Sequence, residues 1–152
     1  MTSPTKRVIH MKVSTRGRYA LRVLIDLAEH NTGSYIPMKD VAARQELSLK
    51  YLERILPTLT KAKLITGVHG KGGGYKLTRS PEDYTVGEVL RLTEGDLAPV
   101  ACLSPDAEPC DRVAECRTIK MWKGFYDLTN KYFDGITIAD LARTESADNY
   151  VI

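Results

Sequence analysis

A chain of 152 residues, 43% hydrophobic and 27% charged, has the balance of a soluble globular protein of one domain, or of one domain with a small appendage, and is not disordered, collagen-like or fibrous. No apolar run approaches the ~20 residues of a membrane span, and the basic first ten residues lead into no signal-peptide core, so the cytoplasm is expected, with no membrane partner. The net charge of +3 conceals a division: residues 1–79 carry 15 Lys and Arg against 5 Asp and Glu, a balance of +10, and the remainder carry 7 against 14, a balance of −7. The first half therefore suits an anionic partner such as nucleic acid.

Residues 1–10 lack periodicity and read as a disordered basic tail. From Ser14 the pattern becomes helical, with Tyr19, Ala20, Val23, Leu24, Leu27 and Ala28 at three- and four-residue intervals. Ser14 or Thr15 is placed to cap its start, and Gly33 stands past its end. A short helix over 38–45, with Met38, Val41 and Ala42 as a narrow apolar stripe, breaks at Glu46-Leu47. Ser48 then caps a second helix in which Leu49, Leu52, Ile55, Leu56 and Leu59 are expected to face inward, leaving Lys50, Tyr51, Glu53 and Arg54 on outer faces. Pro57 is expected to kink that helix or restart it. Two helices joined this way read as a helix-turn-helix.

Residues 64–68 read as a strand, His69-Gly70-Lys71-Gly72-Gly73-Gly74 as a flexible turn, and 75–78 as the returning strand of a hairpin. A phosphate-binding loop would run from strand to helix and end in Lys-Ser/Thr; this one runs strand to strand. A basic hairpin after a helix-turn-helix is the wing of a winged helix. Thr85 to Glu88 reads as a capping box for a linking helix within 81–97. A loop follows, and then an amphipathic helix over 113–134 with Trp122, Phe125, Leu128, Thr129 and Tyr132 along one side. That helix is too long for so small a domain to bury alone, so pairing with a second copy is expected. Thr137 to Asp140 opens a last short helix within 135–152. The fold class is thus mainly α with a small β-hairpin wing, a winged helix-turn-helix head over 11–80 and a long C-terminal dimerisation helix.

Ser14, Thr15, Arg16 and Arg18 are candidates to clamp a phosphate at the first helix start, the alternative being capping and a solvated basic face. Ser48, Lys50, Tyr51, Glu53 and Arg54 are candidates for DNA contact from the recognition helix, where Lys and Arg donate to guanine and Glu accepts from cytosine N4. Glu53 otherwise pairs with Lys50 or Arg54. His69 and Lys71 are candidates for minor-groove or phosphate contact, with Gly72, Gly73 and Gly74 allowing the approach; the alternative is a plain hairpin tip. Arg79 serves the same face or pairs with Glu82 or Asp83.

Cys102, Cys110 and Cys116 fall within fifteen residues of the acidic half, in the loop over 98–116. An odd count without a secretion signal argues against a disulfide framework. Thiolates at this density suit an iron–sulfur cluster, zinc with a carboxylate or a redox switch. No acid/base pair, nucleophile–base set or cofactor fingerprint points to an enzyme.

The blocks MKVSTRGRYALRVLIDLA (11–28), LSLKYLERIL (47–56), GKGGGYKLTR (70–79), YTVGEVLRLTEG (84–95) and GITIADLA (135–142) occur in order. Together they resemble the bacterial winged-helix regulator family that includes the iron–sulfur cluster regulator IscR, the cysteine-metabolism repressor CymR and the nitric-oxide sensor NsrR. The resemblance implies a homodimer that binds a double-stranded, pseudo-palindromic operator, as a repressor. It also implies a cluster, 2Fe–2S with 4Fe–4S as the alternative, held by Cys102, Cys110 and Cys116 in a sensor loop. The fourth ligand is unassigned: the position of the IscR histidine holds Ile119, that of the NsrR acidic ligand holds Arg18, and Glu108, Asp111 and Glu115 are the nearest candidates. A regulator of the CymR kind, without a cluster and controlled by thiol oxidation or a metabolic partner enzyme, is the alternative.

Overall fold

The computed structural model describes residues 12–142; the expected basic tail over 1–10 and the chain beyond 142 lie outside the described residues. Three helices, α1 (Thr15–Glu29), α2 (Met38–Gln45) and α3 (Leu49–Lys61), precede a hairpin of β1 (Ile65–Val68) and β2 (Gly74–Leu77). A 3-10 turn at Pro81–Asp83 leads to α4 (Val86–Glu94), and the described residues close with α5 (Ile119–Asp134) and α6 (Ile138–Leu141).

Four helix starts have a local cause in a side-chain cap. Ser14 accepts the Gly17 N–H and Ser48 the Tyr51 N–H, the side-chain caps their residue types favour. Between α2 and α3 the chain turns at Glu46, held in the left-handed region at φ 53°, and the Leu47 N–H closes back on the Ala42 carbonyl. Thr85 accepts the Glu88 N–H, but the Glu88 carboxylate turns away to Arg79, so the expected capping box is half formed. Thr137 and Asp140 make a complete one.

The core is one cluster. Ala20, Val23, Leu24 and Leu27 of α1 meet Val41 of α2 and Leu52, Ile55, Leu56 and Leu59 of α3, closed from below by Ile65, Tyr84 and Ile138. The hairpin pairs Ile65 with Leu77 through to Val68 with Gly74, and Ile36 bridges to Tyr75 on the other edge, tying the wing to the segment ahead of α2. The buried Tyr84 hydroxyl donates to the Leu64 carbonyl at 2.6 Å and accepts from the Thr78 and Arg79 N–H groups, which pins the wing's exit to its entrance.

Three expectations are corrected. Helix α3 does not restart at Pro57, which sits on its exposed side in one continuous helix. Leu49 does not face inward: as the first residue of α3 its side chain points back past the end of the core, and it is 39% exposed. The long helix begins at Ile119 rather than 113, because Val113–Glu115 is a separate 3-10 turn followed by extended backbone at Cys116. The apolar row of Met121, Phe125, Leu128 and Tyr132 has no apolar member one turn earlier, where Arg117 and Thr118 stand, so nothing draws that stretch into the helix.

Candidate nucleic-acid interface and cysteine loop

The start of α1 is occupied from within the protein. The backbone N–H and the hydroxyl of Ser14 both donate to the carboxylate of Glu94, at 3.0 and 2.6 Å, so both Ser14 donors are used. Glu94, the last residue of α4, therefore sits where the α1 dipole favours a negative charge, a role that no local sequence pattern marks. Arg16 donates to the Thr58 hydroxyl of α3, and Arg18 to Thr15 at 3.1 Å. Arg16 and Arg18 remain exposed and stand beside the capped start.

The turn of the helix-turn-helix is held by an ion-pair network. Asp26 of α1 is fully buried, and Arg44 of α2 grips it through Nη2 and Nε of its guanidinium, at 2.7 and 3.1 Å. The Gln45 amide donates to the same carboxylate at 2.9 Å, while Arg22 donates to the Gln45 side chain and carbonyl. The bond to Asp26 raises the Arg44 pKa above its ordinary value against the opposing effect of burial. With α2 and the turn fixed to α1, the start of α3 is fixed as well.

On α3, Ser48, Lys50, Glu53 and Arg54 are exposed, while Tyr51 is half-buried and meets the Tyr19 ring edge to face at 5.2 Å. Among the described residues no ion pair ties Glu53 to Lys50 or Arg54. The polar face thus keeps its charges open to a partner.

In the wing, His69, Lys71 and Gly72 are exposed. The glycines have internal reasons of their own. Gly72 adopts φ 76° over open space, whereas a Cβ on Gly73 would lie 2.3 Å from the Val68 carbonyl and one on Gly74 2.3 Å from that of Ile36. Arg79 is resolved as structural: it pairs with Glu88 at 2.9 and 3.1 Å, and that bond raises its pKa. Glu82 instead accepts from the Ser80 hydroxyl.

The cysteines lie on a segment of short turns between α4 and α5. Cys102 and Cys110 are exposed, Cys116 is half-buried, and all three thiols are free. Cys116 is held below the usual thiol range first by its hydrogen bond with Thr118, at 3.5 Å, and further by backbone N–H groups and the charge of Arg112. In the same loop the buried Ser104 hydroxyl has no partner among the described residues. Among the described residues no three His, Cys, Asp or Glu side chains gather closely enough to hold a metal ion. The donor chemistry of three free thiols suits an iron–sulfur cluster; this arrangement of the loop does not assemble one.

The Rrf2 family model, described as an iron-dependent transcriptional regulator, matches residues 13–144. The protein rrf2 of Nitratidesulfovibrio vulgaris is 39% identical over 136 residues, covering 90% of this chain and 90% of its own. The regulator IscR of Aliivibrio salmonicida is 33% identical over 131 residues, 86% of this chain and 77% of its own. The solved structure of CymR, the global cysteine regulator of B. subtilis, is similar with a TM-score of 0.70 at 34% identity, over 86% of this chain and 95% of that one.

Proposed function

The chain belongs to the Rrf2 family of transcriptional regulators, and from that premise we propose that it is a cytoplasmic, homodimeric repressor that reads a double-stranded operator through α3 and the wing. The observation that carries this reading is the exposed face of Lys50, Glu53 and Arg54, free of mutual ion pairs and held rigid by the Asp26 network. It stands in the half of the chain with a balance of +10, as phosphate attraction requires. Ser48, Tyr51, His69, Lys71 and the Gly72–Gly74 turn complete the proposed surface, with Arg16 and Arg18 as flanking phosphate contacts. Ser14 serves in it through the helix start it caps, and Thr15 by holding the Arg18 guanidinium.

The loop over 98–116 is the proposed sensor. Cys102, Cys110 and Cys116 would hold an iron–sulfur cluster, which supplies reversible electron transfer and sensitivity to oxidants when bound. The chain's own residues set how loop and head communicate: α4 touches the start of α1 through Glu94 and holds α5 through Arg91. A coupling of ~1–3 kcal/mol along that path changes operator affinity 5- to 150-fold. Ile119 in the fourth-ligand position, and the likeness to CymR, favour a second reading in which the same thiols respond to oxidation or to a partner enzyme without a cluster.

One experiment separates these. Protein purified anaerobically, as wild type and as Cys110→Ala, is titrated with salt on a duplex enriched from a randomised pool while its visible absorption is recorded. The reading expects binding that weakens steeply with salt and a brown absorption lost in the variant. Colourless protein that still binds moves the assignment to the second reading, and no salt-dependent binding rejects both.

A further inference from the structure

We propose that Leu49 determines sequence specificity by packing against the 5-methyl group of a thymine in the major groove, an inference that rests on the reading of α3 as the recognition helix. A single exposed leucine is ordinary on a protein surface; its surroundings distinguish this one. Leu47 and Tyr51, two residues to either side, pack against the core, whereas Leu49 belongs neither to the core nor to the side chains packed on it. It is the first residue of α3, after the Ser48 cap, and the N-terminal residues of a recognition helix are those that reach base edges.

Helical spacing arranges the exposed side chains of the first half of α3 in two adjoining rows. Leu49 and Glu53, one turn apart, form the first; Lys50 and Arg54 form the second. The major groove offers each row a different chemistry. Its one apolar group is the thymine methyl, its donor to a carboxylate is cytosine N4, and guanine O6 and N7 accept from Lys or Arg. The first row therefore selects pyrimidines and the second guanine. Side chains one turn apart are about 5–6 Å from each other at Cβ, and base steps are about 3.4 Å, so the thymine and the cytosine lie within about two base pairs on the operator. A leucine that cannot be hydrogen-bonded also disfavours the other bases there, since it would leave their polar edges dehydrated and unpaired.

Replacing thymine by deoxyuridine removes that methyl and nothing else. A duplex enriched from a randomised pool by the full-length protein is resynthesised with deoxyuridine at each thymine in turn, and its affinity is measured for wild type and Leu49→Ala. In the wild type, one position per half-site is expected to lose about three- to fivefold on loss of the methyl. Leu49→Ala binds the two duplexes alike at that position and keeps its preferences elsewhere. The proposal is overturned if the wild type tolerates deoxyuridine at every position, or if Leu49→Ala suffers the same loss at the same place. Failure to enrich any duplex rejects instead the DNA-reading role of α3, and this proposal with it.

Discussion

Asp26 has no exposed surface, and a buried carboxylate is stable in a fold only when its charge is matched. Arg44 supplies the match through two parallel bonds, and Gln45 takes a remaining lone pair. The asymmetry of the pair sets the prediction: Arg44 is itself 34% exposed and would be hydrated if freed, whereas Asp26 would stay buried. Arg44→Ala is therefore expected to lower the free energy of unfolding by about 3 kcal/mol, the low end of the cost of orphaning a buried charge. Arg44→Lys should recover little of it, since an ammonium cannot form the fork. Urea denaturation measures both, and a loss below about 1 kcal/mol for the alanine variant would mean that His30, whose Nδ1 already lies 3.7 Å from the carboxylate, matches Asp26 in place of Arg44. Because the same network fixes the turn before α3, the variant should also bind the operator more weakly than its remaining folded fraction explains.

At the scale of elements, the contact between α1 and α4 depends on one missing side chain. A Cβ on Gly17 would lie 2.5 Å from the Glu94 carboxylate, 3.0 Å from the Thr93 hydroxyl and 3.1 Å from Val13. Glycine to alanine within a helix ordinarily gains about 1 kcal/mol; here Gly17→Ala is expected to lose about that much, because Glu94 must leave Ser14 to make room. In a Glu94→Ala background the same substitution should cost less, and thermal unfolding of the four proteins gives the coupling. Equal costs in the two backgrounds would make Thr93 and Val13 the wall. This contact also shows what was legible in the sequence and what was not. The helices of the head, the hairpin and the outward face of Lys50, Glu53 and Arg54 follow from periodicity and caps, which are local. Ser14 and Glu94 are 80 residues apart, and no local pattern announces such a pairing. Periodicity also names the inward side of α3 without saying where the core stops, and so it points Leu49 inward although that residue lies past the core's end. The cysteine loop has no period at all, so the sequence names its donors and leaves their arrangement open.

At the scale of the whole molecule, the division of charge at Arg79 coincides with the end of the wing, and of the helices beyond it α4 is packed on the head whereas the α5 arm has no core of its own. Helix α5 buries none of its residues, and Met121, Phe125, Leu128 and Tyr132 stand exposed along it, an apolar row of the kind that marks an interface. Its direction is nonetheless set. Arg91 of α4 holds Asp134 and Asn130, the Val86 N–H donates to the Ile136 carbonyl at 2.8 Å and that of Ile138 to Tyr84 at 3.0 Å, and Ile138 is sunk in the core of the head. An arm fixed to its head in this way transmits its own pairing: if two copies join along α5, the separation of the two α3 helices follows, and with it the spacing of half-sites. Leu128, 65% exposed, tests the chain of reasoning, because in the protomer alone its replacement costs little. Leu128→Asp is expected to leave the melting of the head nearly unchanged while sedimentation shows a monomer. Its affinity for a duplex with two half-sites should fall by about 10²-fold or more, the avidity lost when two linked heads become independent, and its affinity for a single half-site should stay near that of the wild type. A variant that remains dimeric, or that still prefers two half-sites, would place the interface on a face other than this row.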